Sequence, residues 1–192
     1  LAVVGIISSI ILVRVFFKIN LDKEAKEIES NEDAKLDSPN RLSIKITNKA
    51  LNNKNLKQVI EMLGRNLVVS RIYRDGEYIN PQPDTTLLAS DILSIVTTLS
   101  DIEPISAFLG EITEMDWKES EKQLVSRRIV ITKSHINGKS LGSLSLRTHY
   151  GVNVTRVNRS GIDLLGRNDL ILQMGDRVMV VGEKEAIEKV ES

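Results

Sequence analysis

Apolar and polar positions divide the chain into a leading uncharged run and two longer stretches of mixed periodicity. Residues 1–13, LAVVGIISSIILV, carry no charge, and Arg14, Lys18, Lys23 and Lys26 come directly after them. A full membrane span needs roughly 20 apolar residues. The run is shorter and opens on Leu1, so it reads as the C-terminal end of a transmembrane helix in a piece of a longer chain. A signal peptide would carry its basic residues before the apolar core and a small-residue cleavage site after it. A buried soluble helix is the other alternative. The basic flank places residues 20–192 in the cytoplasm, at the inner face of the cell membrane. Residues 1–19 are thus assigned to the end of a span and 20–40 to a cytoplasmic linker. In that linker Asp22 and Lys26 are spaced for a helical pair, and Ser38-Pro39-Asn40 marks a turn.

Beyond the linker the period changes from strand to helix and back. Residues 42–46 alternate apolar and polar as a half-buried strand does. Asn55 is placed to cap a helix whose Leu56, Val59, Ile60 and Leu63 share one face. Residues 67–73 are rich in β-branched side chains, and Arg74-Asp75-Gly76-Glu77 predicts a hairpin turn. Pro81 and Pro83 exclude a central strand over 80–84. Residues 85–88 and 92–98 read as two further strands, and 102–109 as a closing helix. The same plan returns downstream. A strand is expected over 128–132, a turn at Asn137-Gly138, a helix capped by Ser140 with Leu141 and Leu144, strands over 152–157 and 177–181, and a helix over 183–190.

The return is a register, not only a likeness. Arg71 aligns with Arg156, Arg74 with Arg159, Gly76 with Gly161, Asp84 with Asp169 and Asp91 with Asp176, always 85 positions apart. Such an ungapped match, with about a quarter of positions identical, marks two tandem copies of one domain. The fold class is α+β, with each copy a β-α-β-β-β-β-α unit. The expected domains are 41–109 and 126–192, joined by an acidic connector at 110–125 that holds the one tryptophan. Each copy alone is small for a stable core, so the copies are expected to pack on each other as a pseudo-dimer.

Composition narrows the chemistry. Among 192 residues, 26 basic and 26 acidic side chains balance, which argues against a nucleic-acid polymer as partner. Cysteine is absent, so disulfide and cysteine-based metal or redox chemistry is excluded. His135 and His149 lack metal-ligand spacing and align with Ala50 and Gly64, so they read as surface or turn residues. No glycine-rich phosphate loop is present. No nucleophile–base pair or metal cluster can be assembled, and neither catalysis nor a cofactor is expected. The paired aspartates precede strands, where Asp accepts backbone N–H groups, and a structural use is expected of them. Gly76 and Gly161 are expected at positive φ. Arg71 and Arg74, like Arg156 and Arg159, lie three apart on a strand and so point to opposite faces. One of each pair either meets an anion or the sister copy, or is a solvated arginine at a sheet edge.

The stretches LGSLSLRTHYGVNVTRVNRSG and LQMGDRVMVVG resemble the TrkA-C domain, the C-terminal regulatory half of RCK modules of potassium transporters and channels. The likeness runs through Leu141, Leu144, Tyr150, Gly151, Val152, Val154, Arg159, Gly161, Gly175, Asp176 and Val180 to Gly182. The first copy keeps Leu56, Arg74, Gly76 and Asp91 but has Arg65-Asn66 in place of Tyr-Gly, Ser90 in place of the glycine before the aspartate, and Thr97 at the end. A membrane helix followed by a tandem pair is similar to the aspartate:alanine antiporter family of bacterial transporters. The sodium:sulfate/dicarboxylate symporters and potassium-transport regulators are the runners-up. The resemblance implies a cytoplasmic regulatory module of a multispan transporter, either ligand-sensing or purely dimerising. Its implied partners are its own membrane domain and a second copy, as a homodimer. It also implies a small anionic or nucleotide ligand, such as cyclic di-adenosine monophosphate, held in repeat two or between the repeats. Asn153, Arg156 and Arg159 are the candidate contacts, with Arg71 and Arg74 from the sister copy.

Overall fold

The computed structural model describes residues 38–191. The expected end of a membrane span at 1–19 and most of the linker lie outside the described residues. Among the described residues no helix is long and apolar enough to cross a membrane.

Repeat one consists of β1 (Pro39–Ile46), α1 (Leu56–Leu63), β2 (Leu67–Arg74), β3 (Glu77–Ile79), β4 (Ile92–Thr98), α2 (Ile102–Leu109) and β5 (Gly110–Thr113). Repeat two consists of β6 (Val125–Val130), α3 (Leu141–Leu144), α4 (Leu146–Tyr150), β7 (Asn153–Arg159), β8 (Ile162–Leu165), β9 (Arg177–Gly182) and α5 (Lys184–Glu191). The strands pair antiparallel in two sheets, ordered β3-β2-β4-β1-β5 and β6-β9-β7-β8. Read from its other edge, the second sheet has the order of the first without β5. Both copies also carry a bulge at the same place, between Val69 and Arg71 and between Val154 and Arg156. The duplication extends to these irregularities.

Local chemistry accounts for the shared landmarks. Asn55 accepts from the Gln58 N–H while the Gln58 side chain accepts from the Asn55 N–H, a reciprocal cap that starts α1. The β2–β3 and β7–β8 hairpins turn through Asp75-Gly76 (φ 48° and 92°) and Ser160-Gly161 (φ 50° and 91°). Positive φ at both central residues matches the twist of the flanking strands, and glycine takes it without a steric cost.

Two expectations are corrected. Residues 85–88 do not form a strand, and neither do their counterparts, so the fourth strand of the β-α-β-β-β-β-α plan is missing from both copies. Their backbone groups bond to the loop before α1: Leu87 N–H to Lys54 O, Asn53 N–H to Leu87 O and Leu56 N–H to Thr85 O. Repeat two repeats this with Leu172 N–H to Lys139 O, Gly138 N–H to Leu172 O and Leu141 N–H to Leu170 O. Ladder partners are thus used up locally, leaving single bridges at Asn55–Thr86 and Ser140–Ile171. The connector at 110–125 is also more than a linker. β5 adds to the β1 edge, and Trp117 is buried, donating from Nε1 to Ser43 Oγ at 2.9 Å. Gly110, at φ 148°, allows this because a Cβ there would lie 2.3 Å from Lys45 O.

Each repeat has its own core. Ile44, Ile46, Leu56, Val59, Ile72, Leu93, Ile95 and Ile105 fill the first. Leu141, Val152, Val157, Val178, Val180 and Ile187 fill the second. Strand alternation sends the intervening residues the other way, and there the copies meet. β2 packs against its own counterpart β7, as the self-complementary face of a twofold pair requires. Side-chain partners are exchanged accordingly. Asn80 bonds to Asn153 on one side, while their counterparts Leu165 and Val68 share an apolar cluster with Val96 on the other. Arg71 bonds to Ser126, and their counterparts Arg156 and Arg41 are charge neighbours. The two repeats pack as a pseudo-dimer.

Candidate functional site

The five candidate contact residues separate into three places. Arg74 and Arg159 form a clasp inside each repeat. Arg74 donates from Nε and Nη2 to the two carboxylate oxygens of Asp91, both at 2.7 Å, and from Nη2 to Thr86 O. Arg159 donates in the same way to Asp176, at 2.9 and 2.7 Å, and to Ile171 O. The aspartates are buried and also accept backbone N–H groups, from Leu88 and Gln173. Hydrogen bonding to Asp91 raises the Arg74 pKa, and hydrogen bonding to Asp176 raises that of Arg159. The Asp176 carboxyl is held below the usual carboxylate range by the Arg159 fork. Both arginines are engaged within their own repeats: their forks tie the β2–β3 and β7–β8 hairpins to the loops before β4 and β9.

Arg71 and Arg156 lie on the inter-repeat face. Arg71 is fully buried and donates from Nη2 to Leu124 O and Ser126 Oγ, both at 3.0 Å, while its Nε and Nη1 have no hydrogen-bond partner. Burial first, then Arg41, lowers its pKa to about 10 against the upward pull of Glu121. Arg156 pairs with Asp163 at 3.5 Å. These two arginines serve contact between copies and within repeat two. Neither lines the cleft between the repeats.

Asn153 does. It forms part of that cleft, which has a volume of about 670 Å³ and is walled by α1 and by the helical stretch of α3 and α4. The size suits a small organic ligand. Asn153 donates to Asn80 Oδ1 at 2.9 Å, Asn80 donates to Gly151 O at 2.7 Å, and Asn153 Oδ1 is buried without a partner. Beside it stands Arg147, which no sequence pattern singled out. Its Nη2 donates to Val69 O across the interface at 3.2 Å, and burial alone lowers its pKa to about 10. Among the described residues no ion pair includes Arg147. The fork geometry of such a partly desolvated guanidinium suits phosphate and carboxylate. One signal was available. Arg147 falls three residues after Leu144, placing a cation beside the apolar stripe of the helix.

A second, mostly apolar cavity of about 370 Å³ lies in repeat two between β6, α4 and α5. In repeat one, the matching strand and helix residues Ile44, Ile46 and Ile105 are sealed beneath Leu109. Among the described residues no group of His, Asp or Glu could hold a metal ion.

A tandem α+β pair with a cleft between its copies defines a class of two-domain modules. Within that class the chain belongs to the TrkA-C domain family, matched over 42–110 and again over 125–192. It is 45% identical over 99% of its length to an uncharacterized transporter of Bacteroides thetaiotaomicron, of which it covers 34%. It is 41% identical over its whole length to uncharacterized transporter BF2507 of Bacteroides fragilis, of which it covers 35%. The chain therefore spans about a third of the length of these curated relatives. Among solved structures, the RCK C domain of the potassium transport protein KtrA, in complex with cyclic diadenosine monophosphate, aligns with 40% of this chain and 89% of that one. The identity is 19% and the TM-score 0.37.

Proposed function

We propose that this chain is the cytoplasmic, ligand-sensing module of a bacterial multispan transporter of the inner membrane, of the anion or amino-acid antiporter type. The observation that carries the reading is the cleft between the repeats, where Arg147, half-buried and in no ion pair among the described residues, stands with the unpaired carbonyl of Asn153. Relatives named as transporters, about three times as long as this chain, support a membrane domain as its covalent partner. The apolar run at 1–13 and its basic flank support cytoplasmic placement of the repeats. A second copy of the transporter is the expected further partner. The ligand is a small anion or nucleotide. It acts by binding one arrangement of the repeats more tightly than another, and about 1–3 kcal/mol of such differential binding changes transport severalfold or more.

The test is solute flux through the full-length transporter in vesicles, for the wild type and for Arg147→Ala and Asn153→Ala. The expected result is a severalfold change in flux, or loss of its response to added anions, at unchanged protein level. Wild-type flux and wild-type response in both variants would leave a dimerising scaffold as the function.

A further inference from the structure

The two sheets differ at one matched edge. Among the described residues β1 has a neighbour on each side, β4 and β5, whereas its counterpart β6 pairs with β9 alone. β5 reaches β1 directly from the end of α2 and runs antiparallel to it, with Gly110 opposite Ile46 and Thr113 opposite Ser43. Leu109, 1% exposed, comes down on the core just before this strand, and Phe108 packs beside it. Asn48 fastens the arriving segment, donating from Nδ2 to Phe108 O at 2.8 Å and from its N–H to Leu109 O at 3.3 Å.

The effect on the cores can be followed pair by pair. Ile44, Ile46, Leu51, Val59 and Ile105 are each 2% exposed or less. Their counterparts 85 positions on, Ile129, Ile131, Ile136, Leu144 and Val190, are only partly buried, and all five line the cavity of about 370 Å³ in repeat two. Its charged lining is basic: Lys133, His135 and Lys189 border it, and no Asp or Glu does. Lys133 holds the position of Asn48, the residue that fastens the covering segment in repeat one.

We propose that the β6 edge and this groove dock an extended, acidic segment of a partner polypeptide, added to the sheet as β5 is added to β1. An edge strand offers a row of backbone donors and acceptors that an extended peptide completes, with side-chain pockets setting the choice of peptide. The duplicated register places the segment opposite Arg128, Ile129, Val130 and Ile131. A bulky apolar side chain just before that stretch takes the role of Leu109 and covers Ile129, Ile131 and Val190. The basic border selects carboxylates, as the β5 stretch carries at Glu111 and Glu114. A second copy of this chain suits the edge less well. Two β6 strands paired antiparallel over their full length set Arg127 opposite Arg128, and like charges directly opposite are destabilising. The proposal does not depend on ligand sensing in the cleft between the repeats.

The probe is a fluorescein-tagged peptide of residues 105–114, ISAFLGEITE, titrated into the purified protein and followed by fluorescence anisotropy. One peptide should bind per chain. Glu111→Lys with Glu114→Lys in the peptide, or Val190→Trp in the protein to fill the groove, should each weaken binding at least tenfold, and Lys189→Glu severalfold. Melting curves show whether the protein variants fold. Register is read separately by cross-linking. A peptide with Glu111→Cys should form a disulfide with Val130→Cys, its register partner, and far more slowly with Ile162→Cys, an exposed site on β8 at the other edge of the same sheet. Absence of saturable binding, equal binding of the charge-reversed peptide, or equal cross-linking at both sites would overturn the proposal. Disulfides between two Val130→Cys chains in preference to the peptide would give the edge to a second copy and overturn it too. Binding to this chain but not to the full-length transporter would show the groove filled within the transporter, and a separate partner would be ruled out.

Discussion

Removing either clasp arginine should cost far more than removing any other surface-reaching arginine of these sheets. In Arg159→Ala the Asp176 carboxylate, 2% exposed, keeps only the Gln173 N–H at 2.8 Å. In Arg74→Ala the Asp91 carboxylate, 1% exposed, keeps only the Leu88 N–H. Breaking a buried pair from one side costs about 3–5 kcal/mol. The arginine side chains here are 28% and 23% exposed, so water partly replaces them, and about 2–3 kcal/mol is expected for each. For a cooperative unit of this size that lowers the melting temperature by roughly 5–10 °C. Arg156→Ala is the control, because its 3.5 Å pair with Asp163 is half-exposed and should contribute less than about 1 kcal/mol. Urea denaturation followed by circular dichroism, read against pH, is the assay. The folded pKa of Asp176 lies below its unfolded value, so the unfolded chain binds the extra proton as pH falls. The clasp's contribution is therefore present above the ordinary carboxylate range and lost as pH falls through the folded value. Arg159→Ala should be less stable at neutral pH and less sensitive to acid. Equal costs for Arg156→Ala and Arg159→Ala, or an unchanged acid limb, would refute the reasoning.

Two further outcomes concern the interface. Arg71→Met should be neutral or stabilising by up to about 2 kcal/mol at neutral pH, because a desolvated charge with two unpaired nitrogens is removed. The unfolded chain binds more protons above the folded pKa of about 10, so wild-type stability gains there and the difference shrinks with rising pH. A loss above about 2 kcal/mol in urea melts would contradict this. Gly166→Ala should destabilise by about 1–3 kcal/mol in the same melts, since its Cβ would lie 2.4 Å from Val154 O and force β7 or the cleft wall to shift. A wild-type melting curve would show that the close approach is not there.

Much of the fold was legible because the same polar landmarks occur twice at one spacing. Arg74 with Asp91 and Arg159 with Asp176 repeat as pairs 17 residues apart. Pattern alone left them unjoined, since only the hairpin brings the fork over the loop. The strand expected at 85–88 failed because alternation says nothing about where backbone groups find partners, and here the loop before α1 supplies them. Trp117 gave no periodic signal either; it is held by Ser43, 74 residues earlier. Arg147 was missed for a sharper reason. The repeat register draws attention to what both copies share, whereas the cleft depends on what they do not, an arginine opposite Met62 and a helix break at Ser145 opposite Ile60.

The central claim is that the repeats pack through exchanged, pseudo-symmetric contacts, and a cysteine cross-linking experiment tests it most directly. The chain has no cysteine of its own. Two double variants are made, Asn80→Cys with Asn153→Cys and Val68→Cys with Leu165→Cys, representing the polar contact and its apolar mate. Oxidation of the purified protein, read on non-reducing gels and by mass spectrometry of proteolytic fragments, should give an intrachain disulfide in both variants. Cross-linking of one pair without the other, or disulfides only between chains, would contradict the pseudo-dimer and the cleft it encloses.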